Sequence, residues 1–168
     1  MINRLLLYNS GGGIGDALQI LPLINSLKNH FKNTKFFYLC SHNNHFNLSL
    51  RDFNCQIETL DLEIKYFGFR WWHPFIVKKK VKKHNFGKFD LIIDLQSKVR
   101  NSLTLKMIPH KYFISSCFNF KFSKPNIKIK KTTEMNKDII QAINVVFNTN
   151  CKIIISYSFL FTCLRRPS

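Results

Sequence analysis

The stretch that decides the fold lies near the amino end: Leu5-Leu6-Leu7-Tyr8-Asn9-Ser10-Gly11-Gly12-Gly13-Ile14-Gly15-Asp16-Ala17. An apolar run of strand length passes through a glycine loop straight into a helix-forming segment. Continuous rather than alternating apolar residues belong to a strand covered on both faces, as in a parallel sheet. A glycine loop at that place lets backbone approach a ligand closely, with the positive end of the helix aimed at it. The last loop residue is an acid, Asp16, which competes with phosphate for the same amides. The loop therefore reads as a place where a carboxylate meets a neutral hydroxyl. Two stricter phosphate-loop patterns fail, because the dinucleotide fingerprint needs a third glycine where Asp16 stands and the P-loop needs Gly-Lys-Ser/Thr.

Beyond the loop, Ala17, Ile20, Leu21, Ile24, Leu27 and Phe31 recur at three- and four-residue spacing. This gives one apolar stripe on a helix over 16–31. Pro22 removes a backbone donor inside it, so a bend or a loosened first turn is expected. Asp16 as N-cap with Gln19 three residues on is also a capping-box pattern. On spacing, Asp16 reads as a cap, as a catalyst, or as both.

Strand-like and helix-like segments then alternate. Strand 35–40 is followed by a short polar helix or loop at 44–51, strand 56–62 and a basic helix at 75–85. A buried strand at 89–95 (FDLIIDL) leads to helix 99–107, strand 112–115 and a basic loop at 121–131 around Pro125. Helix 135–147 carries Met135, Ile139, Ala142, Ile143 and Val146 on one face. The alternation predicts an α/β, Rossmann-like, doubly wound parallel sheet in one domain over 1–150. Residues 151–168 form a tail. Its 153–163 segment has strand character, but Leu164-Arg165-Arg166-Pro167-Ser168 brings no element that closes a domain, which points to a truncated or frameshifted reading frame.

The chain has 168 residues, 45% of them hydrophobic, which excludes a disordered chain. Its 26 Lys plus Arg against 9 acids give a formal charge of +17. That balance predicts an anionic partner, whether nucleic acid, lipid headgroups or a phosphorylated substrate. Abundant Lys, Asn, Ile and Phe also fit an AT-rich genome. Cys40, Cys55, Cys117, Cys151 and Cys163 form no C-x-x-C pair and read as buried thiols of a reducing compartment. His42 and His45 sit in an Asn-rich stretch without a nearby acid or Cys and read as loop, so no metal site is expected. No segment reaches the ~20 apolar residues of a membrane span, and the first ten residues do not resemble a signal peptide. A cytoplasmic location is expected.

Ligands of doubly wound sheets bind beyond the carboxyl ends of the strands. Two segments must converge there, the loop 11–16 and the run Asp94-Leu95-Gln96-Ser97-Lys98-Val99-Arg100-Asn101-Ser102. Gln96 and Ser97 suit hydroxyls, while Lys98 and Arg100 suit an anionic group, Arg in a two-pronged manner. A solvated helix start, with Asp94 as an end-of-strand acid, accounts for the same residues.

Gly-Ile-Gly-Asp-Ala-Leu-Gln-Ile-Leu-Pro-Leu-Ile-Asn-Ser-Leu-Lys (13–28) resembles the opening of glycosyltransferase family 9, the ADP-heptose:lipopolysaccharide heptosyltransferases and their relatives. In that family Pro stands six residues after the Gly-Asp acid, as Pro22 does after Asp16. The run Phe89–Ser102 resembles the family's Tyr-Asp-hydrophobic-Ile-Asp-Leu-Gln-Gly segment and its following basic residue. The resemblance implies the N-terminal, acceptor-side half of a GT-B fold, with the donor-binding half absent. It implies an inverting transfer of a sugar from a nucleotide-sugar donor, ADP-heptose, to a lipopolysaccharide core or related glycolipid, with no metal cofactor. By position, Asp16 matches the catalytic base, and Gly13, Gly15, Gln96, Ser97, Lys98 and Arg100 match the acceptor side. Gly12-Gly13 replaces the family's frequent Ser-Ser and Ser97 replaces its glycine, departures that bear on acceptor identity.

Tyr66, Phe67, Phe69, Trp71, Trp72 and Phe75 precede Lys78-Lys79-Lys80-Val81-Lys82-Lys83, with no acid between Glu63 and Asp90. Aromatics beside clustered lysines suit an anionic headgroup zone, so Trp71, Trp72, Lys78, Lys79, Lys80, Lys82 and Lys83 read as facing the inner surface of the cytoplasmic membrane. A solvated lysine face over core aromatics, or a single-strand nucleic-acid groove, fits the same residues. The alternative function is a non-catalytic basic α/β module binding nucleic acid or anionic membrane.

Overall fold

The computed structural model describes residues 1–11, 13–41, 44–51 and 56–153. Among the described residues ten elements follow one another: β1 (Arg4–Asn9), α1 (Ile14–Gln19), α2 (Leu21–His30), β2 (Lys35–Cys40), β3 (Glu58–Thr59), α3 (His73–His84), β4 (Phe89–Asp94), α4 (Val99–Leu105), β5 (His110–Ser115) and α5 (Met135–Phe147). The strands form one parallel sheet in the order β3-β2-β1-β4-β5. This is the doubly wound, Rossmann-like arrangement expected from the alternation.

Successive residues of β1 part to opposite faces, as the pleat requires. Leu5 and Leu7 join Ile20, Leu23, Ile24, Leu27, Ile139 and Ile143 in a core under α1, α2 and α5. Leu6 and Tyr8 join Leu39, Val77, Val81, Ile92, Leu105 and Phe113 under α3 and α4. Both faces are thus covered, which is why the middles of β1 and β4, Leu5–Tyr8 and Leu91–Ile93, are continuously apolar. The stripe from Ala17 to Leu27 is buried throughout, with Phe31 packed at its end.

Several boundaries differ from the sequence expectation. The helix over 16–31 is two helices, broken at Ile20 (φ −91°, ψ −8°). Pro22 falls in the first turn of α2, where its missing N–H costs nothing, so the chain restarts a helix instead of bending one. Strand 56–62 shrinks to Glu58–Thr59, and residues 44–51 form consecutive turns. The basic helix begins at His73 instead of residue 75, with Pro74 in its first turn. Helix 99–107 ends at Leu105, and strand 112–115 starts earlier, at His110. Strand 35–40 and helix 135–147 have the expected bounds. Cys40, Cys117 and Cys151 are buried. Gly12, His42, Cys55, Cys163 and the 154–163 part of the expected tail strand lie outside the described residues.

Candidate functional site

The strand order places the site. From β1 the chain crosses to β2 on one side, whereas β4 lies on the other, so the loops leaving β1 and β4 diverge and leave a crevice between their carboxyl ends. The two segments singled out in the sequence, 11–16 and 94–102, are the loops that flank it.

Asn9, the last residue of β1, joins them. It is buried. Its Oδ1 accepts from the Gly11 amide at 3.1 Å and from Gln96 Nε2 at 2.7 Å, and its Nδ2 donates to the Asp16 carbonyl at 3.3 Å. Sequence analysis did not single out Asn9. A polar side chain closing a four-residue apolar run, beside a glycine loop, was the available signal.

Asp16 is the third residue of α1, not its N-cap. Gly13 holds the N-cap position, and Asp16 Oδ2 accepts the Gly13 amide at 3.2 Å. The carboxylate thus reaches back over the loop and satisfies one orphan donor of the first helical turn. Its side chain also fills the space beside Gly11, where any Cβ would collide with it. Gly13 is exposed, and a Cβ on Gly15 would meet nothing, so Gly15 is not held to glycine by crowding. The other Asp16 carboxylate oxygen has no hydrogen bond among the described residues.

Across the crevice, Gln96 is anchored twice, through its amide to Asp94 Oδ1 at 2.9 Å and through its side chain to Asn9. Ser97 and Lys98 are exposed, and Lys98 is the N-cap of α4 without a side-chain cap. Arg100, in the first turn of α4, donates through Nη1 to the Phe69 carbonyl at 2.6 Å. Its guanidinium lies 5.6 Å from the Trp71 ring centre, and Lys98 Nζ lies 5.7 Å from that of Phe69. The two cations assigned to an anionic group therefore rest on the aromatic turn before α3, which sequence analysis had treated as a separate feature.

That turn is firmly built. Tyr8 donates to the Phe67 carbonyl at 3.1 Å, and the Gly68 amide donates to Nδ1 of buried His73 at 3.0 Å. Burial, helped by Arg70, holds His73 below the usual imidazole range, which keeps Nδ1 an acceptor. Gly68 adopts φ +80° against the Asn101 side chain, a place only glycine fills without strain. Phe67 is a core residue, whereas Tyr66, Phe69, Trp71, Trp72 and Phe75 are exposed, Phe75 by 76%. Core aromatics under a lysine face are thereby ruled out for all but Phe67. On α3 the core face is His73, Val77 and Val81, so Phe75, Lys78, Lys79 and Lys82 share the opposite face at helical spacing, with Lys83 also exposed. Lys80 differs: it binds Glu63 at 2.7 Å and is half-buried.

Asp94 is fully buried beneath the crevice. Its Oδ2 lies 2.5 Å from Ser102 Oγ and 2.9 Å from Ser115 Oγ, and the two hydroxyls are 2.9 Å apart. Burial pushes its carboxyl up to about 7, opposed by hydrogen bonds from Ser102, Gln96 and Ser115. It is therefore more than an end-of-strand acid. Among the described residues no group of three His, Cys, Asp or Glu side chains is arranged to hold a metal, and no helix is long and apolar enough to cross a membrane.

Comparison with solved structures places this arrangement. The glycosyl transferase family 9 protein from Veillonella parvula DSM 2008 superposes with a TM-score of 0.59 at 18% identity, over 93% of this chain and 46% of that one. The E. coli heptosyltransferase WaaC with ADP gives 0.61 at 13% identity, over 90% and 49%. WaaC with ADP-2-deoxy-2-fluoro heptose gives 0.63 at 14% identity, over 96% and 54%. The chain has their fold. It spans about half the length of these glycosyltransferases. No protein-family model matches the sequence, and no curated protein does. The fold implied by the resemblance at 13–28 and 89–102 is thus the fold observed.

Proposed function

We propose that this chain is the acceptor-binding part of an inverting glycosyltransferase, of the heptosyltransferase kind, which takes a sugar from a nucleotide-sugar donor such as ADP-heptose. One observation carries the reading: Asp16, a carboxylate residue at a helix start, is tied by its backbone carbonyl through Asn9 to a loop bearing Gln96, Lys98 and Arg100, in a fold shared with heptosyltransferases. Asp16 takes the proton of an acceptor hydroxyl as that oxygen attacks the anomeric carbon, and the donor diphosphate leaves with the electron pair of the broken bond. Gln96 and Ser97 hold neighbouring hydroxyls, and Lys98 and Arg100 hold an acidic group of a lipopolysaccharide-core or related glycolipid acceptor. The donor site belongs to a second half.

Titrating the labelled 168-residue chain with heptose-less lipopolysaccharide in detergent is expected to move the amide signals of 11–16 and 96–100. Shifts confined to other parts of the sheet would overturn the assignment. The same chain, given ADP-heptose and that acceptor, is expected to release no ADP, because closure of a second domain brings the anomeric carbon to the hydroxyl. Steady release of ADP would show that the donor site lies within these residues.

We further infer that the enzyme works at the inner face of the cytoplasmic membrane. The exposed aromatic turn and the outward lysines of α3 support that reading, since rings and ammonium groups together suit anionic headgroups. Vesicles containing phosphatidylglycerol are expected to bind the chain at low salt and release it as salt rises. Reversing the charge of Lys78, Lys79, Lys82 and Lys83 is expected to weaken binding at least ~100-fold, at about 1 kcal/mol per cation. Reversing Lys80 changes less, as Glu63 already neutralises it. Tighter binding to single-stranded oligonucleotides than to these vesicles would favour the nucleic-acid module instead.

A further inference from the structure

We propose that Asn9 is a positioning residue that sets the crevice, holding the Asp16 turn and the Gln96 amide in one frame. The proposal rests on the acceptor-site reading given above. It starts from the hydrogen-bond count of one amide. Asn9 Oδ1 uses both lone pairs, one on the Gly11 amide and one on Gln96 Nε2, and Nδ2 gives a proton to the Asp16 carbonyl. These three bonds run to the two loops that flank the crevice, a further side-chain hydrogen bond joins Asn9 to Tyr38 on β2, and none runs along β1. The residue is 5% exposed, so water cannot readily replace a lost partner.

The consequence for Gln96 is specific. Asn9 Oδ1 can only accept, so it fixes which end of the Gln96 amide faces β1: the NH2 end. Gln96 Oε1 and one Nε2 proton remain for other partners. That pairing of acceptor and donor on one edge matches a sugar hydroxyl, which both gives and takes a hydrogen bond. The Gln96 amide nitrogen is fixed in turn by Asp94 Oδ1, so the side chain swings from a held base. On the other side, pulling on the Asp16 carbonyl sets where the first turn of α1 presents its carboxylate. Aspartate at position 9 would keep the acceptor but lose the bond to the Asp16 carbonyl, so only asparagine, with an acceptor and a donor on one short stem, serves both loops.

The test uses the 168-residue chain and two readouts. In Asn9→Ala, the side-chain NH2 signals of Gln96 and the amides of Gly11 and Asp16 are expected to shift, along with Tyr38 on β2, while those of β5 and α5 stay in place. Affinity for heptose-less lipopolysaccharide is expected to fall about tenfold in Asn9→Ala and about tenfold in Gln96→Ala, with a loss well below the hundredfold product in the double variant, since part of the Asn9 effect passes through Gln96 and the rest through the Asp16 turn. Asn9→Asp is expected to keep the Gln96 signals and move those of Asp16. If Asn9→Ala does not fold, Gln96→Ala, at a half-buried loop position, carries the test through the Gly11 and Asp16 amides. Additive losses in the double variant, or unmoved Gln96 signals in Asn9→Ala, would overturn the proposal. If the wild type does not bind the glycolipid at all, the acceptor reading fails, and the Gln96 and Asp16 signals still decide whether Asn9 frames the two loops.

Discussion

Asp16→Asn is expected to lower sugar transfer by roughly 10²–10⁴-fold, the usual worth of a general base, with the melting temperature changed by no more than about 2 °C. The structural part of the argument rests on Gly13. Its amide donates to Asp16 Oδ2, and an asparagine carbonyl oxygen can accept the same bond. The side chain also keeps its size beside Gly11, where it fills the space a Cβ would occupy. What asparagine cannot do is take a proton from an acceptor hydroxyl. The measurement is release of nucleoside diphosphate by a chain that carries a donor-binding half, alongside thermal melting of both variants. Transfer at the wild-type rate would remove Asp16 from the chemistry and leave it a helix cap.

The second large effect concerns Asp94. Its stability contribution is expected to fall as pH rises from about 4 to about 7, by an amount on the order of a few kcal/mol, and Asp94→Asn is expected to abolish that slope. The folded carboxyl titrates near 7 against 3.8 for the free group, so the folded state holds a proton that the unfolded chain has released. A group raised in this way gives its full stabilisation below the unfolded value and loses it as pH passes the folded one. The oxygen geometry agrees. Oδ2 of Asp94 and the hydroxyls of Ser102 and Ser115 make three mutual contacts of 2.5–2.9 Å, yet the two hydroxyls bring only two protons. A proton on the carboxyl supplies the third. Asparagine brings its own N–H groups to the serines and keeps an oxygen for the Gln96 amide, with no charge to bury. Denaturant unfolding of both proteins at pH 4.5 and pH 7.5 decides it. A wild-type curve that parallels the variant across that range would mean that Asp94 is ionised throughout.

The vesicle and transfer experiments read different parts of the same rim. Lys98 and Arg100 sit on Phe69 and Trp71, so the aromatic turn supports the acceptor-side cations and also carries the exposed rings. On the proposed reading, membrane contact and acceptor capture share side chains, and a Trp71 variant is informative only when both are measured.

The sequence by itself determined the class of fold and the two segments of the site. Apolar runs such as 5–8 and 89–95 and the stripe from Ala17 to Phe31 are local patterns, and a buried strand or an amphipathic helix declares itself within ten to fifteen residues. The Gly-Asp loop is local as well, so Asp16 was legible, though its place as third residue of α1 was not. That depended on where the loop backbone turned helical, at Gly13. The break at Ile20 was half legible, since Pro22 marks it but does not say whether the helix bends or restarts. What only the tertiary structure decided are the contacts between residues far apart in the chain. Asn9 meets Gln96 across 87 residues and Arg100 meets Phe69 across 31, pairings that exist because β4 lies beside β1 and α3 beside α4. Likewise Lys80 is removed from the basic face by Glu63, 17 residues away, and Phe67 is drawn into the core by Tyr8 while the nearby aromatics Tyr66 and Phe69 stay outside. Periodicity tells which side of an element is apolar. Which polar groups meet beyond the strand ends follows from strand order, which is fixed by packing over the whole sheet.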